Sequence, residues 1–85
     1  MRSRRVSRGP PVSKLPRQLS YKRLLRALRR AGFEVHRQRG SHIILVRAEP
    51  YAQVIVPAHR AIATGTLHDI LDGAGLTLDE FLALL

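Results

Sequence analysis

The sequence contains no cysteine, few aromatic residues and no long hydrophobic run. Its 85 residues include two Tyr, two Phe, no Trp and no Cys. The absence of cysteine excludes disulfide frameworks, thiolate zinc sites, iron–sulfur clusters and cysteine nucleophiles. The longest apolar run, residues 81–85, is far shorter than the ~20 residues of a membrane-spanning helix. The length fits one small domain, which excludes two-domain enzymes and large cofactor folds.

Acidic residues are also scarce and are unevenly distributed. The chain has 15 Lys and Arg against 6 Asp and Glu, a net charge of +9. Residues 1–47 hold 14 of these basic residues and one acid, Glu34. Most of the basic residues are arginines, whose planar guanidinium matches phosphate geometry. The composition therefore predicts a polyanionic partner, with nucleic acid favoured over a membrane surface. The alternative is a solubility charge without a specific ligand.

The chain divides into a basic arm and a folded domain. Residues 1–18 are rich in Pro, Ser and Arg and contain no acid. Such a segment has few apolar groups to offset the entropy of ordering, so we predict a disordered basic arm. Regular hydrophobic patterning begins at Leu19, and residues 19–85 are predicted to form the domain.

Hydrophobic spacing predicts the element order α-β-β-β-α with a short additional helix at the end. Leucines at helical spacing predict the first helix over 21–31. Alternating and β-branched segments predict strands at 33–38, 41–47 and 53–56. Strands grouped between helices favour an α+β fold, in which a three-stranded antiparallel sheet carries the helices on one face.

Helix-capping residues support these assignments. Ser20 precedes the first helix and is a suitable N-cap. Thr66 is expected to cap the second helix, which Gly75 ends. Thr77 followed by Glu80 gives the spacing of a capping box for the last helix.

The polar face of the first predicted helix is entirely basic. Like charges at i,i+3 and i,i+4 repel each other, which favours an anionic ligand over a purely solvated face. The basic residues of this face are Lys22, Arg23, Arg26, Arg29 and Arg30.

Four short motifs occur in a defined order. They are A-G-F at 31–33, R-Q-R-G-S-H at 37–42, V-P-A-H at 56–59 and G-T-L-H-D-I-L at 65–71. In this order and spacing they resemble the HicA-type toxin family, over roughly residues 20–85. No single motif is specific, whereas the ordered set is.

The resemblance implies a fold like the double-stranded RNA-binding domain, which agrees with the predicted element order. It also implies a cytoplasmic type II toxin that cleaves messenger RNA, and a HicB-type antitoxin as its protein partner. The histidine taken as catalytic in that family corresponds to His42. The residues before G-T-L, often lysines in the family, are Ala63 and Thr64 here, so no charged phosphate contact is expected from these two positions.

RNA cleavage without a metal needs a base for the 2′-hydroxyl and an acid for the leaving oxygen. Histidine suits both roles because its ordinary pKa is about 6.5. Neighbouring arginines stabilise charge on the phosphoryl oxygens, and glycine allows close backbone approach. His59, in a loop after a strand, is the second catalytic candidate. The candidate RNA-binding residues are Lys22, Arg26, Arg37, Arg39, Gly40, Ser41 and Arg47.

Other interpretations remain open at this stage. A lone strand histidine is more often half-buried and bonded to backbone than catalytic. The histidines show no close ligand spacing, so neither a metal site nor a cofactor is predicted. A non-catalytic RNA-binding module would use the same basic face. An interaction subunit for an acidic protein partner is a third alternative.

Overall fold

The computed structural model describes residues 18–85, which form three helices and one antiparallel sheet. This confirms the predicted element order and the α+β class. The predicted basic arm lies outside the described residues, apart from Gln18. The elements are α1 (Tyr21–Arg30), β1 (Glu34–Arg39), β2 (His42–Ala48), β3 (Tyr51–Pro57), α2 (Thr64–Ala74) and α3 (Leu78–Leu84).

The sheet has the strand order β1-β2-β3, and both pairs are antiparallel. A tight turn of Gly40 and Ser41 joins β1 to β2, so that Arg39 pairs with His42. Gly40 has a φ of +57°, at the turn position where a type II′ turn takes glycine. On its other side His42 pairs with Pro57 of β3.

A β-bulge in β1 changes which side chains share a face. Val35 pairs with Leu45, and Arg37 pairs with the adjacent Ile44, so His36 is the extra residue. Directly paired residues of antiparallel strands point to the same side of the sheet. The bulge therefore leaves Val35 on the side of buried Leu45 and turns Arg37 to the opposite side.

Within residues 18–85 the helices cover one side of the sheet and do not cover the other. The core between sheet and helices includes Leu24, Leu28, Phe33, Leu45, Val56, Leu67 and Phe81, each at most 1% exposed. We call the helix-free side the open face. It carries Glu34, Arg37, Arg39, His42, Ile44, Val46, Ala48, Tyr51, Gln53, Ile55 and Pro57.

Two of the predicted helix caps are confirmed. The Ser20 hydroxyl accepts a hydrogen bond from the Arg23 N–H at 3.2 Å. At α3 the Thr77 hydroxyl accepts from the Glu80 N–H at 3.1 Å. The Glu80 carboxylate accepts from the Thr77 N–H at 2.8 Å, which completes the capping box.

The predicted cap of α2 is wrong. Ala63, in extended conformation, is the N-cap and makes no side-chain hydrogen bond. Its carbonyl accepts from the Leu67 N–H at 2.9 Å, so the first turn already begins at Thr64. Thr66 consequently lies inside the helix, where its hydroxyl cannot cap the first turn. The other end is as predicted, because Gly75 adopts the left-handed conformation with φ 72°.

Replacing Thr77 by alanine is expected to destabilise the fold by about 1 kcal/mol, because the capping box loses one of its two hydrogen bonds. The matched control is Thr66→Ala, which removes the same side chain from an exposed, non-capping helix position. Urea unfolding followed by circular dichroism measures both. Equal effects of the two substitutions would show that the Thr77 cap contributes nothing.

Candidate functional site

His42 lies exposed on the open face, at the first residue of β2. Arg39 is its direct partner across the β1–β2 turn, at the ~5 Å separation of paired residues. Arg37 is its diagonal neighbour on the same face, at ~7–8 Å. The exposed His42 therefore shares the open face with two exposed arginines, and it is not half-buried.

The turn next to His42 is open to an approaching ligand. A Cβ placed on Gly40 would meet no atom within 4 Å. The Ser41 carbonyl accepts from the Ala58 N–H at 2.7 Å, which ties the turn to the end of β3. The backbone of Gly40 and Ser41 is thus both fixed in place and accessible.

The loop after β3 brings His59 and the start of α1 to the same end of the molecule. The His59 carbonyl accepts from the Tyr21 N–H at 3.2 Å. Lys22 and Arg60 line a shallow depression there together with Ser20 and Tyr21. Sequence reasoning did not select Arg60, although it is the only basic residue after Arg47 and directly follows His59.

Arg26 lies one turn further along α1 and borders a separate cleft. Arg23 and Arg30 line the same cleft, against the end of α3. Arg30 closes it by donating to the Leu84 carbonyl at 2.7 Å. The basic face of α1 therefore extends from the end of the molecule that holds His59 to the cleft beside α3.

Arg47 lies on the opposite side of the sheet from His42. Its Nε donates to the Pro50 carbonyl at 2.9 Å, and its Nη2 donates to the Ala74 carbonyl at 3.1 Å. Its guanidinium carbon lies 4.7 Å from the centre of the Phe33 ring. The structure does not bring Arg47 to the site, since this guanidinium holds the β2–β3 turn and the end of α2 together.

The remaining histidines stand apart from this site. His36 is exposed at the bulge of β1 and His68 is exposed on α2. Within residues 18–85 no three His, Asp or Glu side chains are grouped as metal ligands would be. None of the helices in that same range is long and apolar enough to span a bilayer.

Comparison with known families decides the assignment. The family model described as HicA toxin of bacterial toxin–antitoxin matches residues 21–76, more than half of the chain. The chain belongs to the HicA toxin family. The match extends from the start of α1 to the end of α2 and contains all four motifs on which the resemblance was based. A HicA toxin belongs to a toxin–antitoxin pair, so an antitoxin partner follows from membership. A search of curated proteins found no match.

Proposed function

We propose that this HicA-family protein is an endoribonuclease that cleaves messenger RNA without a metal and that His42 is its catalytic residue. The supporting observation is the exposed imidazole of His42 with Arg39 directly across the strand pair. Among the four histidines, His42 is the one whose direct strand partner is an arginine.

The proposed reaction is attack by the ribose 2′-oxygen on the adjacent phosphorus. A base removes the 2′-hydroxyl proton, the O2′–P bond forms and the P–O5′ bond breaks. An acid delivers a proton to the departing 5′-oxygen. The products are a 2′,3′-cyclic phosphate and a 5′-hydroxyl end. His42 carries one of these proton transfers, and His59 is the candidate for the other.

Arg39 and Arg37 would stabilise the charge that develops on the phosphoryl oxygens. The accessible backbone at Gly40 and Ser41 allows a phosphate to approach the imidazole closely. Lys22 and Arg26 on α1 would hold the flanking RNA strand by its phosphates. Arg47 is not part of this proposed surface, because its guanidinium is bonded to carbonyls on the other side of the sheet.

Purified, antitoxin-free protein incubated with single-stranded RNA in EDTA tests the activity. We expect new fragments that carry 2′,3′-cyclic phosphate and 5′-hydroxyl ends. Folded protein that binds RNA in a steeply salt-dependent manner but releases no fragments would instead indicate the non-catalytic RNA-binding module. Cleavage that stops in EDTA would contradict the metal-free chemistry.

Neutralising Lys22 and Arg39 together is expected to weaken RNA binding and to flatten its salt dependence. Each lost phosphate contact lowers the slope of log affinity against log salt by about 0.7 for a single strand. Binding is measured by fluorescence anisotropy in a His42→Ala background, which prevents cleavage. Arg29→Ala is the control, since Arg29 is exposed at the far end of α1 beside Phe33 and Glu34. A slope that falls by about half as much for the single variant Arg29→Ala as for the double variant would indicate non-specific charge attraction.

We also propose that the antitoxin is of the HicB type and covers the basic surface around His42. The chain is strongly basic, so a neutral to acidic protein is electrostatically complementary to it. Binding there would exclude RNA from the imidazole at the same time. Co-purification that survives neutralisation of Arg37, Arg39 and Lys22 would refute the overlap of the two surfaces.

A further inference from the structure

Strand β3 forms a free edge of the sheet within residues 18–85, where it pairs with β2 alone. The hydrogen bond from Ala58 N–H to the Ser41 carbonyl marks these two residues as a hydrogen-bonded pair. Such pairs alternate along an antiparallel ladder. The N–H groups of Tyr51, Gln53 and Ile55 therefore point away from β2, toward the free edge.

The two edge strands of the sheet differ in how well they are protected against pairing with another chain. Edge strands normally avoid pairing with other chains by means of charges and bulges. Strand β1 has both, because it carries Glu34, Arg37 and Arg39 and contains the bulge at His36. Strand β3 has seven residues, none of them charged and none of them bulged. Over residues 51–56 its free edge thus lacks charges, bulges and proline, and Pro57 occurs only at its last residue.

Of the three large hydrophobic residues that are exposed within residues 18–85, the two most exposed lie on β3, whereas Val35 lies on β1. Tyr51 is 69% exposed and Ile55 is 49% exposed, and both belong to β3 on the open face. Gln53 lies between them, and the Tyr51 hydroxyl approaches its Oε1 at 3.4 Å. Tyr51 and Ile55 therefore each combine an outward N–H group with an exposed hydrophobic side chain.

We propose that β3 is a self-association surface, on which β3 of a second copy pairs antiparallel around a twofold axis at Gln53. This register places Tyr51 opposite Ile55 of the second copy and uses the outward N–H groups of all three residues. The sheets of the two copies would join into one. The exposed tyrosine and isoleucine of each copy would then cover each other on the open face.

Charge favours a second copy over an acidic partner at this edge. Helix α2 packs against β3 and carries Asp69 and Asp72 but no Lys or Arg. An acidic partner is attracted to the basic residues of α1 and β1 instead. Two copies that meet along uncharged strands keep their arginine-rich surfaces away from the seam.

The full-length His42→Ala protein, purified without antitoxin, tests the proposal by analytical ultracentrifugation. We expect its average mass to rise about twofold as its concentration is raised, as for a closed twofold dimer. Gln53→Pro removes an outward N–H without touching the ladder to β2 and should abolish the increase. The matched control is Gln38→Pro, which removes an outward N–H from β1 and should leave the increase intact.

Cysteine substitution tests the register independently, since the chain has no native Cys. Gln53→Cys should form a covalent dimer under mild oxidation, because twofold-related residues in this register lie within disulfide reach. Gln38→Cys should remain monomeric under the same conditions. A monomer mass at all concentrations with no Gln53→Cys dimer would overturn the proposal. So would a loss of antitoxin binding on Gln53→Pro without any dimer, which would assign this edge to the antitoxin.

Discussion

Replacing His42 by alanine is expected to slow RNA cleavage at least about 100-fold, the usual contribution of a positioned proton-transfer group. The side chain is exposed and makes no hydrogen bond to the described residues 18–85, so the free energy of unfolding should change little. RNA affinity should also persist, because the neighbouring Arg37 and Arg39 remain. Single-turnover cleavage, thermal unfolding and RNA binding of the same variant separate these three quantities.

Two further histidine variants test whether the loss of RNA cleavage is specific to His42. His68→Ala alters an exposed residue of α2 outside the site and should leave cleavage unchanged. His59→Ala should reduce cleavage if His59 supplies the second proton transfer, and the two effects should then be non-additive. Cleavage by His42→Ala at the wild-type rate would remove His42 from the mechanism.

Replacing Arg47 by alanine is expected to destabilise the protein by about 2 kcal/mol, the scale of hydrogen bonds from a charged donor. The variant loses its bonds to the carbonyls of Pro50 and Ala74 and the stacking on Phe33. For a domain of this size, the melting temperature should fall by about 8–16 °C. Differential scanning calorimetry measures the change.

RNA binding by the same variant tests whether Arg47 has a structural role or an RNA-binding role. Below its melting temperature, Arg47→Ala should bind RNA as tightly as the parent protein. Arg39→Ala is the matched control, because it removes an exposed arginine from the open face and should weaken RNA binding while leaving stability unchanged. The reverse pattern, a stable Arg47→Ala protein with reduced RNA affinity, would contradict the positions described above.

Local sequence signals were sufficient for most of the fold. The leucine spacing of α1, the Ser20 cap and the Thr77–Glu80 capping box each depend on neighbours within a few residues. Such short-range patterns are readable because their hydrogen bonds close within one turn. The cap of α2 was missed because its N-cap, Ala63, makes no side-chain hydrogen bond, whereas Thr66 nearby has a side chain that could make one. Only the path of the loop from β3 determines that the helix begins at Thr64 and not at Thr66.

The sequence-based prediction did not distinguish which arginines near His42 share its face of the sheet. Arg37, Arg39 and Arg47 all flank the histidine in the sequence and looked equivalent there. Strand alternation places Arg37 on the face of Arg39 and Arg47 on the other side, and the bulge at His36 puts Val35 on the side opposite Arg37. A bulge leaves no clear mark in a single sequence, because it depends on the pairing with β2.

By itself, the sequence determined the basic character of the chain, the order of its elements and the motifs of the HicA family. Each of these depends only on residue types and on short spacings along the chain. The tertiary structure alone decided which arginines lie beside His42 and which edge of the sheet is unprotected. Both depend on strand register and on the side to which each residue points, and these are properties of paired strands that no isolated segment possesses.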